Sequence, residues 1–304
     1  MERAIAEIAE AAREGFLVAI VGSTASGKTA LAVEVAARVG GEIVSADSVQ
    51  VYRGFDVGSG KPTAAERARA PHHLVDVLDP MDPMDASRFV AMADDAIADV
   101  RARGRVPIVC GGTFLWVKAL LQGLATAPPA DETIRARHRA IAEAEGRAAL
   151  HARLREVDRR AAERLHPNDL VRVSRALEVF ELTGEPLSAL QERHAFGSAR
   201  HKARLFARRL DRETLRRRIE ARVDAWLAAG WLDEVRALSA RGLGGARAMG
   251  SVGYAEIAAH IAAGLTEPSP ALRDKIVQST CIFARRQRTW LNHAPVRWVE
   301  TEDP

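Results

Sequence analysis

The stretch Phe16-Leu17-Val18-Ala19-Ile20-Val21-Gly22-Ser23-Thr24-Ala25-Ser26-Gly27-Lys28-Thr29 decides the architecture. Phe16 to Val21 is a short apolar run, which reads as a strand buried on both faces. Gly22 to Thr29 fits G-x-x-x-x-G-K-[ST], and a helix over about 28–39 follows. Gly22, Ser23, Thr24, Ala25, Ser26 and Gly27 curl the backbone so that successive N–H groups face inward as an anion nest. The helix N-terminus adds partial positive charge. Lys28 brings a point charge to the outer phosphate, and the Thr29 hydroxyl is placed to ligate Mg²⁺. A di- or triphosphate is the expected ligand.

Working outward, 42–46 (EIVSA), 74–78 (LVDVL) and 106–110 (VPIVC) read as further strands, and 86–103 as an amphipathic helix. Strands alternating with helices imply an α/β protein with a parallel sheet. The texture changes after Gly123, and Pro128-Pro129 marks a boundary. From 131 to about 194 no strand-like run occurs, and the segment reads as a helical module. The stretch 202–210 (KARLFARRL) returns to the sheet. Helices are expected over 212–229, 231–241, 254–263 and 271–291, the first with an apolar stripe at Leu215, Ile219, Val223 and Trp226. The expected fold is a P-loop-type parallel sheet flanked by helices, with a helical insertion. Its parts are 1–127 and 200–304 for the core and 128–199 for the insertion.

With 304 residues, 47% hydrophobic and 28% charged, the chain can bury a sizeable core, which excludes collagen-like, disordered and disulfide-scaffold classes. No apolar run is long enough for a membrane-spanning helix. Met1 to Gly15 is charged and Ala-rich, unlike a signal peptide. The two cysteines, Cys110 and Cys281, point to a reducing cytoplasm and away from a Cys-based metal site. The net charge of +4 is unevenly spread, since 200–222 carries ten lysines and arginines against Asp211, Glu213 and Glu220. Concentrated positive charge suits a phosphate backbone, or else a solvated arginine-rich helix.

The loop does not choose a nucleotide. A hydrolysing NTPase carries an acidic residue after a neighbouring strand. Here VPIVC runs into Gly111-Gly112-Thr113, and Asp76 within LVDVL is the alternative acid. Asp47 follows the second strand, where ligands gather beyond strand carboxyl ends. It suits a general base, a water-mediated Mg²⁺ partner or a helix cap. On these residues alone a P-loop small-molecule kinase or NTPase remains an open reading.

The segments GSTASGKT, SADSVQVYRG, DVGSGKP, PHHLVDVLDP, VPIVCGGTFL, PPADETIRAR, LHPNDLVRVSRALEV and SVGYAEI occur in this order from about Phe16 to about Leu291. Together they closely resemble the tRNA dimethylallyltransferase (tRNA isopentenyltransferase) family. The resemblance implies transfer of a dimethylallyl group from dimethylallyl diphosphate to N6 of the adenosine on the 3′ side of the anticodon. It implies that the loop holds the isoprenoid diphosphate rather than ATP, with Mg²⁺, and that the insertion clasps the anticodon stem-loop. It also implies that the target base, being unpaired, is flipped into a channel at low cost.

By the same resemblance Asp47 is the general base, Arg222 of Arg218-Ile219-Glu220-Ala221-Arg222 stabilises the departing diphosphate, and Thr24 faces the reaction centre. Arg218 and Arg222 are also i,i+4 on one helix face, a plausible diphosphate clamp. The implied tRNA contacts are Asp47, Ser48, Val49, Gln50, Thr113, Arg135, Val171, Arg172, Val173, Ser174, Arg175, Ser251, Val252, Gly253 and Tyr254. The chain departs from the family pattern at Ser23, Gly60 and Trp116, and more seriously at Gly250, Ala255 and Cys281, where basic or polar residues are usual. These losses thin the expected tRNA contacts and leave the catalytic positions intact. A monomer is expected. Three other readings compete: ATP or GTP turnover without tRNA, RNA binding without turnover, and prenylation of free adenosine phosphates.

Overall fold

The computed structural model describes residues 1–125, 127–194 and 199–300. The chain forms two units, Met1–Leu121 with Arg200–Pro304, and Gln122–Ala199. The larger unit opens with α1 (Glu2–Arg13), β1 (Leu17–Val21), α2 (Lys28–Val39), β2 (Gly41–Ala46), α3 (Ala64–Arg69) and β3 (His72–His73). It continues with α4 (Ala86–Ala102), β4 (Val106–Gly111) and α5 (Phe114–Gln122). The smaller unit contains α6 (Glu132–Ala144), α7 (Arg147–Val157), α8 (Arg159–Arg164), α9 (Leu170–Thr183) and α10 (Leu187–His194). The larger unit resumes with β5 (Ala203–Arg208), α11 (Arg212–Ala228), α12 (Trp231–Ala240), α13 (Tyr254–Ala262), α14 (Pro270–Asn292) and β6 (Val296–Val299).

The six strands form one sheet in the order β3-β2-β4-β1-β5-β6, and every pairing is parallel. β1 is buried throughout, as its unbroken apolar run requires. Strand alternation sends Leu17, Ala19 and Val21 into one core and Val18 and Ile20 into the other. The second core is roofed by α1 and α2 through Ile5, Ile8, Leu31 and Val35. The first takes residues from α4, α5 and α11 to α14, among them Phe89, Val117, Ile219, Trp231 and Ile276.

Several elements differ from the sequence reading, the short helices α3 and α5 among them. The segment 74–78 is not a strand. The sheet edge is His72-His73, and Leu74 and Asp76 then take left-handed φ values of 61° and 59°. The cause is tertiary: Asp76 N–H donates to the Gln50 carbonyl, and the Asp76 carboxylate is drawn to Lys61 and Arg67. The N-terminal helix α1 went unread, although Ala4, Ile5, Ile8, Ala11 and Ala12 lie on one buried face. Strand β6 escaped because its four residues VRWV carry an arginine and have partly exposed positions.

In the helical unit, Leu150, Leu154, Ala161, Ala162, Val173, Ala176 and Leu177 make a core of their own. Helices α6, α8 and α9 are capped by aspartates. Asp131 accepts from Thr133 N and Ile134 N, Asp158 from Ala161 N and Asp169 from Arg172 N. The fully buried Glu178 accepts from Arg135, Arg175 and the Asp131 amide. Burial opposes its charge, but these bonds outweigh burial and hold its carboxyl below the usual range. Among the described residues, no helix is long and apolar enough to cross a membrane.

Candidate functional site

The phosphate loop leaves the carboxyl end of β1, flanked by β4 and β5. Ala25 and Gly27 both have left-handed φ, 60° and 81°. This alternation turns backbone N–H groups inward, and the non-glycine strain at Ala25 sits at the loop, where function is expected. Gly27 is also a point of close approach. A Cβ there would lie 2.8 Å from Arg208 Nη1 and 3.2 Å from Arg218 Nη1. Two guanidinium groups therefore sit directly over the loop.

Lys28 donates to the Ser23 carbonyl at 3.4 Å. Burial holds its pKa below the usual lysine value, the nearby Arg222 lowers it further, and Asp47 opposes part of the shift. Arg222 Nη1 donates to Thr24 Oγ1 at 3.3 Å and so ties α11 to the loop. Burial lowers its pKa too, with the Arg218 charge adding to the effect. One turn along α11, the Trp226 ring lies beneath the Arg222 guanidinium at 5.3 Å. Arg218 and Arg222 thus share a helix face aimed at the loop, with Trp226 packed behind them against Gly60 and Trp231.

Asp47 stands one residue past β2 on the same rim. Its Oδ1 accepts from Val49 N at 2.9 Å and Gln50 N at 3.2 Å. This turn fixes the carboxylate and leaves Oδ2 for chemistry. Ser48 N–H donates to Thr113 Oγ1 at 3.1 Å, joining the Asp47 turn to the end of β4. The Gln50 amide donates to the Gly60 carbonyl at 2.8 Å, and its Oε1 accepts from Ser45 Oγ at 3.2 Å. Lys61 anchors that second loop by donating to the Tyr52 carbonyl, Asp56 and Asp76. Asp76 is thereby committed to the Lys61 cluster and does not serve the phosphate loop.

A narrow cleft is lined by Lys28, Thr29, Ser45, Asp47, Gln50 and His72, among others. Thr29, Ser45, Asp47 and Gln50 present oxygens, the donor type that Mg²⁺ prefers. Two polar atoms, Ser26 Oγ in the phosphate loop and His72 Nε2 in the cleft wall, are buried without a hydrogen-bond partner. Such groups are costly unless something binds there. Donor type and orphaned atoms together fit a hydrated divalent cation beside a bound phosphate.

Sequence reasoning missed two residues. Arg208 ends β5 beside the loop and is buried. It is the first of two adjacent arginines at the strand's carboxyl end, and the surrounding charge hides it. Gln287, buried on α14, accepts from Thr24 N–H at 2.8 Å and donates to the Gly112 carbonyl at 3.0 Å. A Cβ on Gly112 would lie 2.7 Å from Gln287 Nε2, so the glycine is needed for that approach.

The expected RNA contacts separate. Val171 is 79% exposed, and the Arg172 side chain is also exposed. Val173 is core, Ser174 is buried against His138 Nδ1, and Arg135 and Arg175 are occupied with Glu178. Tyr254 is fully buried, with its hydroxyl donating to Glu234 at 2.6 Å, and Gly253 lies against Trp231. Val173, Ser174, Gly253 and Tyr254 therefore support the fold of their own units and do not present side chains at the surface. Ser251 and Val252 remain half-buried. The basic stretch 200–222 also disperses: Arg200 pairs with Asp94, Arg204 with Glu14 and Arg216 with Glu220. Arg208, Arg218 and Arg222 turn to the loop.

The IPP transferase family profile matches residues 50–294, and the isopentenyl transferase profile matches 16–72. A tRNA dimethylallyltransferase of Sorangium cellulosum is 61% identical over 285 residues, covering 94% of this chain and 90% of that protein. The crystal structure of a full-length tRNA isopentenylpyrophosphate transferase from Bacillus halodurans is similar at 35% identity and TM-score 0.68, covering 94% and 89% of the two chains. A eukaryotic dimethylallyltransferase acting on tRNA shares the fold at TM-score 0.74 and 24% identity, covering 94% and 74%.

Proposed function

This chain belongs to the IPP transferase family, and from that premise we propose that it transfers a dimethylallyl group to tRNA, at N6 of the adenosine on the 3′ side of the anticodon. The observation that supports the reading is the hydrogen bond from Arg222 to Thr24, which holds a part-buried cation against the phosphate loop, as stabilising a leaving diphosphate requires. The loop amides, Lys28, Arg208 and Arg218 hold the diphosphate. Ser26 Oγ donates to it. Thr29 holds Mg²⁺, which supplies charge neutralisation on the diphosphate.

The adenine N6 lone pair forms the new bond to C1 of the allyl group as the C1–O bond breaks. The diphosphate leaves with the electron pair, and the N6 proton passes to Asp47 Oδ2. The Asp47 carboxylate is held for this by the Val49 and Gln50 amides. Arg222 meets the growing negative charge, and the Trp226 ring backs the guanidinium. The β4 end, Gly111-Gly112-Thr113, supplies no acid for nucleotide hydrolysis, which counts against a kinase. The exposed Val171 and Arg172 give the helical unit a contact for the anticodon arm, and the enzyme acts as a cytoplasmic monomer.

The test incubates the protein with Mg²⁺, dimethylallyl diphosphate and unmodified tRNA, then weighs the digested nucleosides beside a reaction holding ATP instead. An adenosine heavier by one C5 prenyl unit, only with the isoprenoid, is expected. ATP turnover without tRNA would favour the kinase. Asp47→Ala is expected to abolish transfer while tRNA still binds, and full activity in that variant removes Asp47 from the mechanism.

A further inference from the structure

His72 is the first residue of the edge strand β3 and pairs in register with Ile43 of β2. Partners in a parallel pair point to the same face, so the His72 side chain lies on the side of Ile43. That is the face covered by α2, whose first residues are Lys28 and Thr29. Ser45, two residues beyond Ile43, and its partner Cys110 share this face. The cleft there is lined by Thr29, Ser45, Asp47, Gln50 and His72.

The ring's protonation follows from its neighbours. His72 Nδ1 lies 2.7 Å from the Ala70 carbonyl, which only accepts, so Nδ1 carries the proton. Burial also disfavours the charged imidazole and holds its pKa below the usual value. Nε2 is then a bare lone pair, buried and without a partner. A lone pair in a polar cleft is satisfied by water. Mg²⁺ keeps several waters in protein sites, and their protons need acceptors. The acceptors facing this cleft are Asp47, the Ser45 and Gln50 oxygens, and His72 Nε2.

We propose that His72 is a positioning residue of the divalent-cation site: its Nε2 accepts a hydrogen bond from a water bound to the cation that Thr29 holds. This rests on the proposed function. His72 orients the hydrated ion through that water and touches neither the prenyl group nor the base. Outer partners of this kind typically change metal affinity by about 10–100-fold when removed.

The test counts Mn²⁺ bound to the full chain in the presence of inorganic pyrophosphate, from the loss of the free-ion electron paramagnetic resonance signal beyond that in a protein-free mixture of the same metal and pyrophosphate. His72→Phe and His72→Ala remove the acceptor. His72→Gln restores one, because Gln Oε1 sits near the Nε2 position. The Mn²⁺ dissociation constant is expected to rise about 10-fold or more in the first two variants and to recover most of the way in the third. Thermal unfolding without metal checks folding, and if His72→Phe fails to fold, His72→Ala against His72→Gln carries the comparison. Equal Mn²⁺ binding by wild type, His72→Phe and His72→Ala overturns the assignment while leaving the cation site in place. A wild-type chain that binds no Mn²⁺ with pyrophosphate removes the site itself, and with it both the Mg²⁺ part of the proposed function and this inference.

Discussion

In the helical unit the buried carboxylate of Glu178 takes bonds from two arginines and a backbone amide. At the phosphate loop the buried ammonium of Lys28 reaches a backbone carbonyl at 3.4 Å with the cation Arg222 nearby. The first arrangement is complete within the protein, and breaking it costs stability. The second holds like charges together out of water, which costs stability until an anion arrives. Structural charge and functional charge thus differ in whether the protein alone satisfies them.

The sharpest challenge to this contrast is Lys28→Met. Prenyl transfer should fall about 1000-fold or more, while the ligand-free protein should melt no lower than wild type, because a desolvated cation has been replaced by an apolar chain. Pyrophosphate should no longer raise the melting temperature. A lower melting temperature without ligand would mean that Lys28 is structural like Glu178. The opposite case is Glu178→Ala, which should cost about 3 kcal/mol in urea unfolding of the helical unit. The low end of the range applies because Arg135 and Arg175 keep partial access to water. Diphosphate binding should be unchanged.

Glu42 offers a graded version at the opposite end of β2. Hydrogen bonds from Arg103 and His73 hold its buried carboxyl down to about 2, against an ordinary value of 4.5. The stabilisation is full above pH 4.5 and is lost as pH falls from there through 2. Glu42→Gln should remove about 2–3 kcal/mol at neutral pH, part of the Coulomb term being screened at the half-exposed Arg103. The variant should flatten the stability curve between pH 4.5 and 2, measured by urea unfolding across that window. The smallest effect is expected at Arg172, exposed and 3.5 Å from Asp169. Arg172→Ala should change stability by less than about 0.5 kcal/mol. It should reduce the salt dependence of tRNA binding by about one counterion.

Much of the site could be read directly because it is local. Gly22 to Thr29 lie together in the chain, and a strand, a tight turn and a helix start suffice to build the nest. Asp47 was reachable for the same reason, one residue past a strand on the same rim. Arg222 and Arg218 needed the helix period and the family resemblance together. The reading failed where a residue's burial depends on partners far along the chain. Val173 and Tyr254 sit in motifs that suggested contact with RNA, but each faces a core. LVDVL looks like a strand until Lys61 and Arg67 pull Asp76 into a left-handed bend.

The sequence by itself determined the phosphate-binding nest, the α/β class and the helical module, since apolar period, glycine placement and capping act within a few residues of one another. Sheet order and helix packing added the distant side chains that join the nest. Parallel pairing puts Arg208 at the end of β5 beside β1. The packing of α14 brings Gln287 to Thr24, and the β2–β3 register turns His72 toward Thr29. Each of these approaches follows from sheet order and helix packing, which sum weak preferences over the whole chain and leave no mark on the few residues that finally meet.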